Sequence, residues 1–256
     1  SSCASPFLRA PLCSSASTSV RGYAVCVLST TASVNVPLVA LTAHGAIFCS
    51  GGLAGLGVLT ARVLVEGSAR QLVLSSRSDR VVAGSEGDWA WLAECSADVR
   101  RVRCDFSDDA HVRAVVRTLC GECLRLSGVF HTAHQLADAV VANQNALNFR
   151  ATYGPKVHGA STLHTTSWCA PLLFFNVYSS IAGLMGSAGQ APHSAANAWR
   201  DGMAGWRHQS GMRSQCVNWG AVAEIGYAAR VGADRHADTS GAGAISLAMT
   251  IAALNS

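Results

Sequence analysis

The chain has 256 residues, 50% of them hydrophobic, and a formal net charge of +4. That length suffices for one large α/β domain with a buried core and leaves two full domains cramped. So small a charge, spread over scattered arginines, argues against a nucleic-acid partner, which needs clustered basic residues. Arg100, Arg101 and Arg103 form the one local group and read as a solvated strand face. The uncharged run at 22–43 raises a membrane span, but Ser29, Thr30, Thr31, Ser33, Asn35 and Pro37 interrupt it, so no membrane partner is expected.

The chain opens at Ser1, without Met, and reads as a piece of something longer. Residues 1–20 are rich in Ser and Ala, Arg9 and Arg21 lie in or beside them, and the first acidic residue is Glu66. This segment reads either as a transit peptide or as an interdomain segment. The domain boundary is placed at 43/44. Residues 1–43 are expected to be a linker or the remnant of an upstream subdomain, and 44–256 the working domain. The ten cysteines fall largely in apolar runs, where free Cys acts as a small hydrophobe. A reducing, cytoplasmic setting fits them, with organellar import left open. Cys120 and Cys123 form a C-x-x-C with no second ligand pair, so no metal is expected and the two read as residues on one helix face.

From residue 45 the pattern is regular. Ala46–Cys49 is a short apolar run ending in Ser50-Gly51-Gly52, and Leu56, Leu59, Val63 and Leu64 then recur at helical spacing. Gln71–Ser75 reads as a second strand, 87–96 as a helix, and Val99–Phe106 as a third strand. Val112, Val115, Val116, Leu119 and Cys123 mark one helix face. Leu126–Ala133 reads as a strand, 143–166 as mostly helix, Leu172–Tyr178 as a strand, 193–209 as a helix and Ser214–Trp219 as a strand. Strands alternating with helices imply right-handed βαβ units. The fold class is therefore α/β, a Rossmann-like doubly wound parallel sheet with helices on both faces. Such a fold binds ligands at the carboxyl ends of its strands.

The segment Ser50-Gly51-Gly52-Leu53-Ala54-Gly55-Leu56-Gly57 joins the first strand to the first helix. Glycines there allow a tight turn and close approach of a pyrophosphate to the free N–H groups of the helix end. The second strand ends in Ser75-Ser76-Arg77-Ser78, where an NAD site usually has an acidic residue for the ribose 2′-hydroxyl. Arg77 and Ser76 suit a 2′-phosphate instead, so the expected cofactor is NADP(H). Asp105, followed by Phe106, ends the third strand and suits either the adenine amino group or an ordinary turn.

Beyond these come Val129-Phe130-His131-Thr132-Ala133, Pro155-Lys156-Val157-His158-Gly159, Ser179-Ser180-Ile181-Ala182-Gly183, Gly186-Ser187-Ala188-Gly189-Gln190-Ala191, Ala195-Ala196-Asn197-Ala198 and Asn218-Trp219-Gly220. Lys156 is the only lysine in the chain. The whole set, over about 44–250, resembles the catalytic ketoreductase domain of modular polyketide synthases and of the related animal-type fatty acid synthases, within the short-chain dehydrogenase/reductase superfamily.

The resemblance implies NADPH-dependent reduction of a β-ketoacyl thioester to the β-hydroxyacyl thioester. The substrate would ride on the phosphopantetheine arm of an acyl carrier protein, and the other domains of the synthase would be further partners. It implies catalytic roles for Ser180 at the substrate carbonyl, His193 as proton donor, Lys156 at the nicotinamide ribose and Asn197 at a relay water. Ser50, Gly51, Gly52, Leu53, Gly55, Leu56, Gly57, Ser76, Arg77, Asp105, Phe106, His131, Ala133 and Lys156 would hold the cofactor. Asp138, Met185 and Gln190 would face the substrate and bear on stereochemistry. Leu136-Ala137-Asp138 keeps the last Asp of the Leu-Asp-Asp carried by D-hydroxyl-forming members. Met185 replaces the Trp of L-forming ones. Residues 221–240 would form a lid.

Two positions depart from the family. The motif Asn-Tyr-Ala-Ala-Ala-Asn reads Pro192-His193-Ser194-Ala195-Ala196-Asn197 here, so an imidazole stands where the family has a phenol. Beside Lys156 its charged form is disfavoured, and a neutral imidazole is a weak acid. His134 stands where the family has Gly, and its bulk would crowd the nicotinamide. The alternative reading is therefore a degenerate, non-reducing, cofactor-binding domain of a megasynthase.

Overall fold

The computed structural model describes residues 45–121, 125–222 and 244–255. The segment 1–43, Cys123 and all of the expected lid beyond Val222 lie outside these residues. In chain order the elements are β1 (Ala46–Ser50), α1 (Gly55–Glu66), β2 (Gln71–Ser76), α2 (Glu86–Glu94), β3 (Asp98–Arg103), α3 (Asp109–Gly121) and β4 (Leu126–His131). A short 3-10 turn (Val141–Asn143), α4 (Ala146–Tyr153), a π turn (Gly154–His158) and α5 (Gly159–Thr166) follow, then β5 (Phe174–Ser180), α6 (Ala182–Met185), α7 (Ala191–Gln209), β6 (Gln215–Trp219) and α8 (Leu247–Asn255).

The six strands pair in parallel in the order β3-β2-β1-β4-β5-β6. This is the doubly wound order, with its switch point between β1 and β4. Alternation along β1 divides the core. Phe48 packs on one face with Phe106, Val112, Val116, Leu163 and Phe175. Ile47 and Cys49 pack on the other with Leu53, Val58, Leu64 and Leu92. Hence α1 and α2 cover one face, and α3, α5 and α7 the other. Successive side chains of a strand point to opposite faces, so a strand covered on both sides is apolar throughout. All five residues of β1 are buried.

Several expected boundaries shift by a few residues, and two of the changes bear on the site. The third strand stops at Arg103, not at Phe106. It is the edge strand, where Arg100, Arg101 and Arg103 are exposed as expected. Cys104 and Phe106 are buried because the chain turns inward after it. The helix expected over 143–166 is two α-helices joined by the π turn, in which the Gly159 N–H donates to the Gly154 carbonyl five residues back. Pro155, lacking an N–H, sits inside this wider turn, and Lys156 follows it.

Candidate active site

A cleft of about 820 Å³ opens at the carboxyl ends of the strands, over the switch point. Its size is within the roughly 300–1,000 Å³ usual for ligand pockets. One end is built by the loop between β1 and α1. Gly51 has φ +70° and lies so close to β4 that a Cβ there would come 2.8 Å from Thr132 Oγ1 and 2.9 Å from Ala133 N. A Cβ on Gly57 would collide with the Gly51 carbonyl. Both positions therefore need glycine for close packing, the first also for its backbone conformation.

Of the expected cofactor residues, Gly51, Gly55, Leu56, Gly57, Ser76, Arg77, Asp105, Phe106, Ala133 and Lys156 line this cleft. Ser76 Oγ is buried with no hydrogen-bond partner among the described residues. Arg77 is exposed and donates through Nη1 to Gln135 Oε1 at 3.0 Å, across the mouth of the cleft. An orphaned hydroxyl beside a reachable guanidinium is a donor set that a phosphate would satisfy. Asp105 Oδ1 accepts from Ser107 N at 2.9 Å, the Asx turn that its position allowed, while the residue still faces the cleft.

Ser50, Gly52, Leu53 and His131 are not in the cleft wall; they stand behind it. His131 Nε2 donates to the Pro155 carbonyl at 3.0 Å, which leaves Nδ1 to accept from Ser50 Oγ at 2.6 Å. Ser50 Oγ in turn accepts from Thr132 N and Ala133 N. The chain of bonds ties β1, β4 and the π turn together under the glycine-loop end of the cleft. Burial, then the Arg200 charge, hold the His131 imidazole well below its ordinary pKa, so it stays neutral in this role.

The four expected catalytic residues all line the other end of the cleft. Ser180 closes β5, and its Oγ accepts from Ala182 N at 3.2 Å, leaving its proton free to donate outward. His193 and Asn197 lie one turn apart on α7, and Lys156 reaches them from the π turn. Lys156 Nζ is 2.9 Å from His193 Nδ1 and 3.3 Å from Asn197 Oδ1, and Asn197 Nδ2 is 2.9 Å from His193 Nε2. Lysine, imidazole and amide thus close a ring.

The directions in this ring are linked. With the amide placed as it is, Nδ2 donates to Nε2, so the single proton of a neutral imidazole sits on Nδ1 and donates to an uncharged Lys156 amine. Turning the amide over reverses the tautomer and points Nδ2 at Lys156 Nζ, which must again be uncharged to accept from it. Burial, then Arg200, lower the Lys156 pKa to about 6, against the partial opposition of Asp138. Burial, then Lys156, His134 and Arg200, lower that of His193 to about 3. Both are consequences of placing cationic groups together in a cavity away from water.

Among the substrate-side residues, Gln190 Nε2 donates to Asp138 Oδ2 at 2.8 Å, and Ala139 N donates to the Gly189 carbonyl at 2.9 Å. The segment after β4 is therefore laced to the loop before α7. Met185 stands at the rim, 84% exposed. His134 also lines the cleft, close enough for its charge to bear on His193.

Residues 45–224 match the KR domain family. The chain belongs to that family. Its KR domain is 34% identical over 195 residues to a phenolphthiocerol/phthiocerol polyketide synthase of Mycobacterium tuberculosis, covering 75% of this chain and 9% of that one. It is 40% identical over 175 residues to polyketide synthase GfsE of Streptomyces halstedii, covering 68% and 4%. A ketoreductase from the first module of phoslactomycin biosynthesis in Streptomyces sp. HK803 superposes with a TM-score of 0.77 at 29% identity, over 84% of this chain and 50% of that one. A-type ketoreductases from a modular polyketide synthase give 0.74 at 30% identity, over 83% and 45%. The chain thus spans under a tenth of these curated relatives and about half of the solved chains. The KR domain is of the polyketide synthase kind, on the Rossmann-like fold expected for it.

Sequence reasoning missed two residues of the site. Gln135, which meets Arg77, lies in irregular chain after β4 with no periodicity to mark it. Arg200 is 1% exposed and reaches backbone carbonyls of three segments. A signal for it existed, since 193, 197 and 200 fall on one helix face.

Proposed function

We propose that this KR domain reduces the β-keto group of an acyl thioester carried on an acyl carrier protein, using NADPH, within a polyketide synthase. The observation that supports it best is the convergence of Ser180, Lys156, His193 and Asn197 at one end of a cleft. The other end of that cleft holds a glycine loop, an orphaned Ser76 hydroxyl and Arg77. The nucleotide, when bound, supplies a hydride. Gly51, Gly55 and Gly57 would admit its pyrophosphate, Ser76 and Arg77 its 2′-phosphate, and Lys156 its ribose.

The remaining work falls to the chain. Ser180 donates its hydroxyl proton to the substrate carbonyl oxygen and steadies the negative charge that grows there. His193 is uncharged at neutral pH, so it cannot act as an imidazolium. It gives up its ring proton only as another enters at the opposite nitrogen. With substrate bound, the Asn197 contact at Nε2 would give way to the substrate oxygen, and the proton lost there would be replaced at Nδ1 by Lys156, which regains its own from water. Asp138, held by Gln190, and the absence of Trp at 185 favour the D-hydroxyl product.

The test compares purified domain on a short β-ketoacyl thioester and on simple alcohols, with NADPH or NADH. Turnover of the thioester with NADPH alone supports the reading. Preference for alcohols, or for NADH, overturns it.

A further inference from the structure

Arg200 is the largest fully buried side chain among the described residues. It lies three residues beyond Asn197 and seven beyond His193 on α7, and it borders the cleft from beneath. Its Nη1 donates to the Tyr178 carbonyl at 2.6 Å, Nη2 to the Ala133 carbonyl at 2.7 Å and Nε to the Lys156 carbonyl at 3.3 Å. These acceptors belong to β5 two residues before Ser180, to the chain just before His134, and to the π turn itself. Among the described residues no carboxylate forms an ion pair with it; the adjoining Asp201 accepts instead from Cys216 Sγ at 2.9 Å. An unpaired buried guanidinium is costly. Main-chain carbonyls repay part of that cost but do not cancel the charge.

We propose that Arg200 is a positioning residue for the reacting groups: its guanidinium locks together the three backbone segments beneath the cleft, and it sets a fixed positive charge below the Lys156 amine. The inference rests on the reductase reading only for what the amine goes on to do.

The charge has a direction. A cation near Lys156 disfavours a second positive charge, so it favours the uncharged amine that the Lys156–His193–Asn197 ring requires. Other titratable or charged groups lie on the elements packed around the site: His193 and Asp201 on α7, His131, His134 and Asp138 on β4 and the chain after it, Cys216 on β6, and Tyr153 and the exposed Arg150 on α4. Of these, Asp138 opposes Arg200 at the amine. Lysine could not replace Arg200, because its single ammonium lacks the planar fork that meets three carbonyls at once.

The chain offers a direct readout, because Lys156 is its only lysine. Protein grown on isotopically labelled lysine gives one side-chain amine signal, whose shift follows ionisation without any need for turnover. In the native chain the midpoint should lie near 6, far below the ordinary value. Arg200→Met should raise it by about one unit, burial remaining the larger cause. Arg200→Gln, which keeps a donor for the carbonyls and loses the charge, should give the same rise if the Met variant does not fold. Arg200→Lys, followed by the pH dependence of kcat, should leave the profile in place and lower kcat at least tenfold through lost positioning.

A native midpoint near 10 overturns the proposal, and so does a folded Met or Gln variant with an unmoved midpoint. A residue that merely stabilised the fold would lower the melting temperature and leave the midpoint alone. A chain with the low midpoint and no NADPH oxidation would refute the reductase reading and leave this one standing.

Discussion

At the scale of single residues, the site is an arrangement of cations persuaded to be neutral. Lys156, His193 and His131 all sit below their ordinary pKa, first because they are buried. His193 therefore does not titrate between pH 5 and 9. An ionisation in kcat near pH 6 would belong to Lys156, with activity rising as the amine loses its proton. His193→Ala should lower kcat about a hundredfold or more, the usual worth of a placed proton donor, measured as NADPH oxidation at saturating substrate. Arg77→Ala should weaken NADPH binding roughly ten- to a hundredfold, the worth of a charged hydrogen bond, with NADH binding nearly unchanged in the same titration. Ser180, Lys156 and Asn197 were legible in the sequence because their motifs stand in order. The roles of His131 and Arg200 were not: helix spacing puts Arg200 on the face of His193 and Asn197, but the main-chain carbonyls that both residues meet lie on segments far away in the sequence.

At the scale of elements, two local irregularities place the chemistry. The loop from β1 to α1 works because glycines at 51 and 57 let it pass against β4. Gly57→Ala would drive a methyl group into the Gly51 carbonyl. We expect it to abolish nucleotide binding, read by fluorescence titration, and to lower the melting temperature. The second irregularity is the π turn, which brings Lys156 across to α7. Apolar runs and helical periodicity marked the strands and most helices, because burial on two faces imposes them directly. The π turn reads as plain helix in the sequence, because a one-residue change in hydrogen bonding barely alters the hydrophobic period. The end of β3 reads too late in the sequence for a related reason. Cys104 and Phe106 are buried like strand residues, although the chain there has already left the sheet.

At the scale of the whole molecule, the same buried bases make the fold sensitive to acid. Their pKa values are lower folded than unfolded, so the unfolded chain binds more protons and stability rises with pH. For His193 the loss begins as pH falls through about 6.5, its unfolded value, and levels off near 3. For Lys156 the penalty is full below about 6 and fades as pH climbs towards its unfolded value near 10. Lys156→Met should thus raise the melting temperature at pH 7 while abolishing reduction, a trade that calorimetry and an activity assay can show together. The doubly wound parallel sheet with helices on both faces followed from alternating elements alone, and the six-stranded parallel sheet and the solved ketoreductases it superposes on bear it out.

The central claim is that a histidine, in this ring, serves where its relatives use a phenol. The most direct measurement is NADPH oxidation by the native domain on a short β-ketoacyl thioester, beside His193→Ala and His193→Tyr. Turnover by the native chain, and its loss in the Ala variant, is the expected result. A native chain that binds NADPH but stays inert, while the Tyr variant gains activity, would contradict the claim and mark the domain as a reductase that has ceased to reduce.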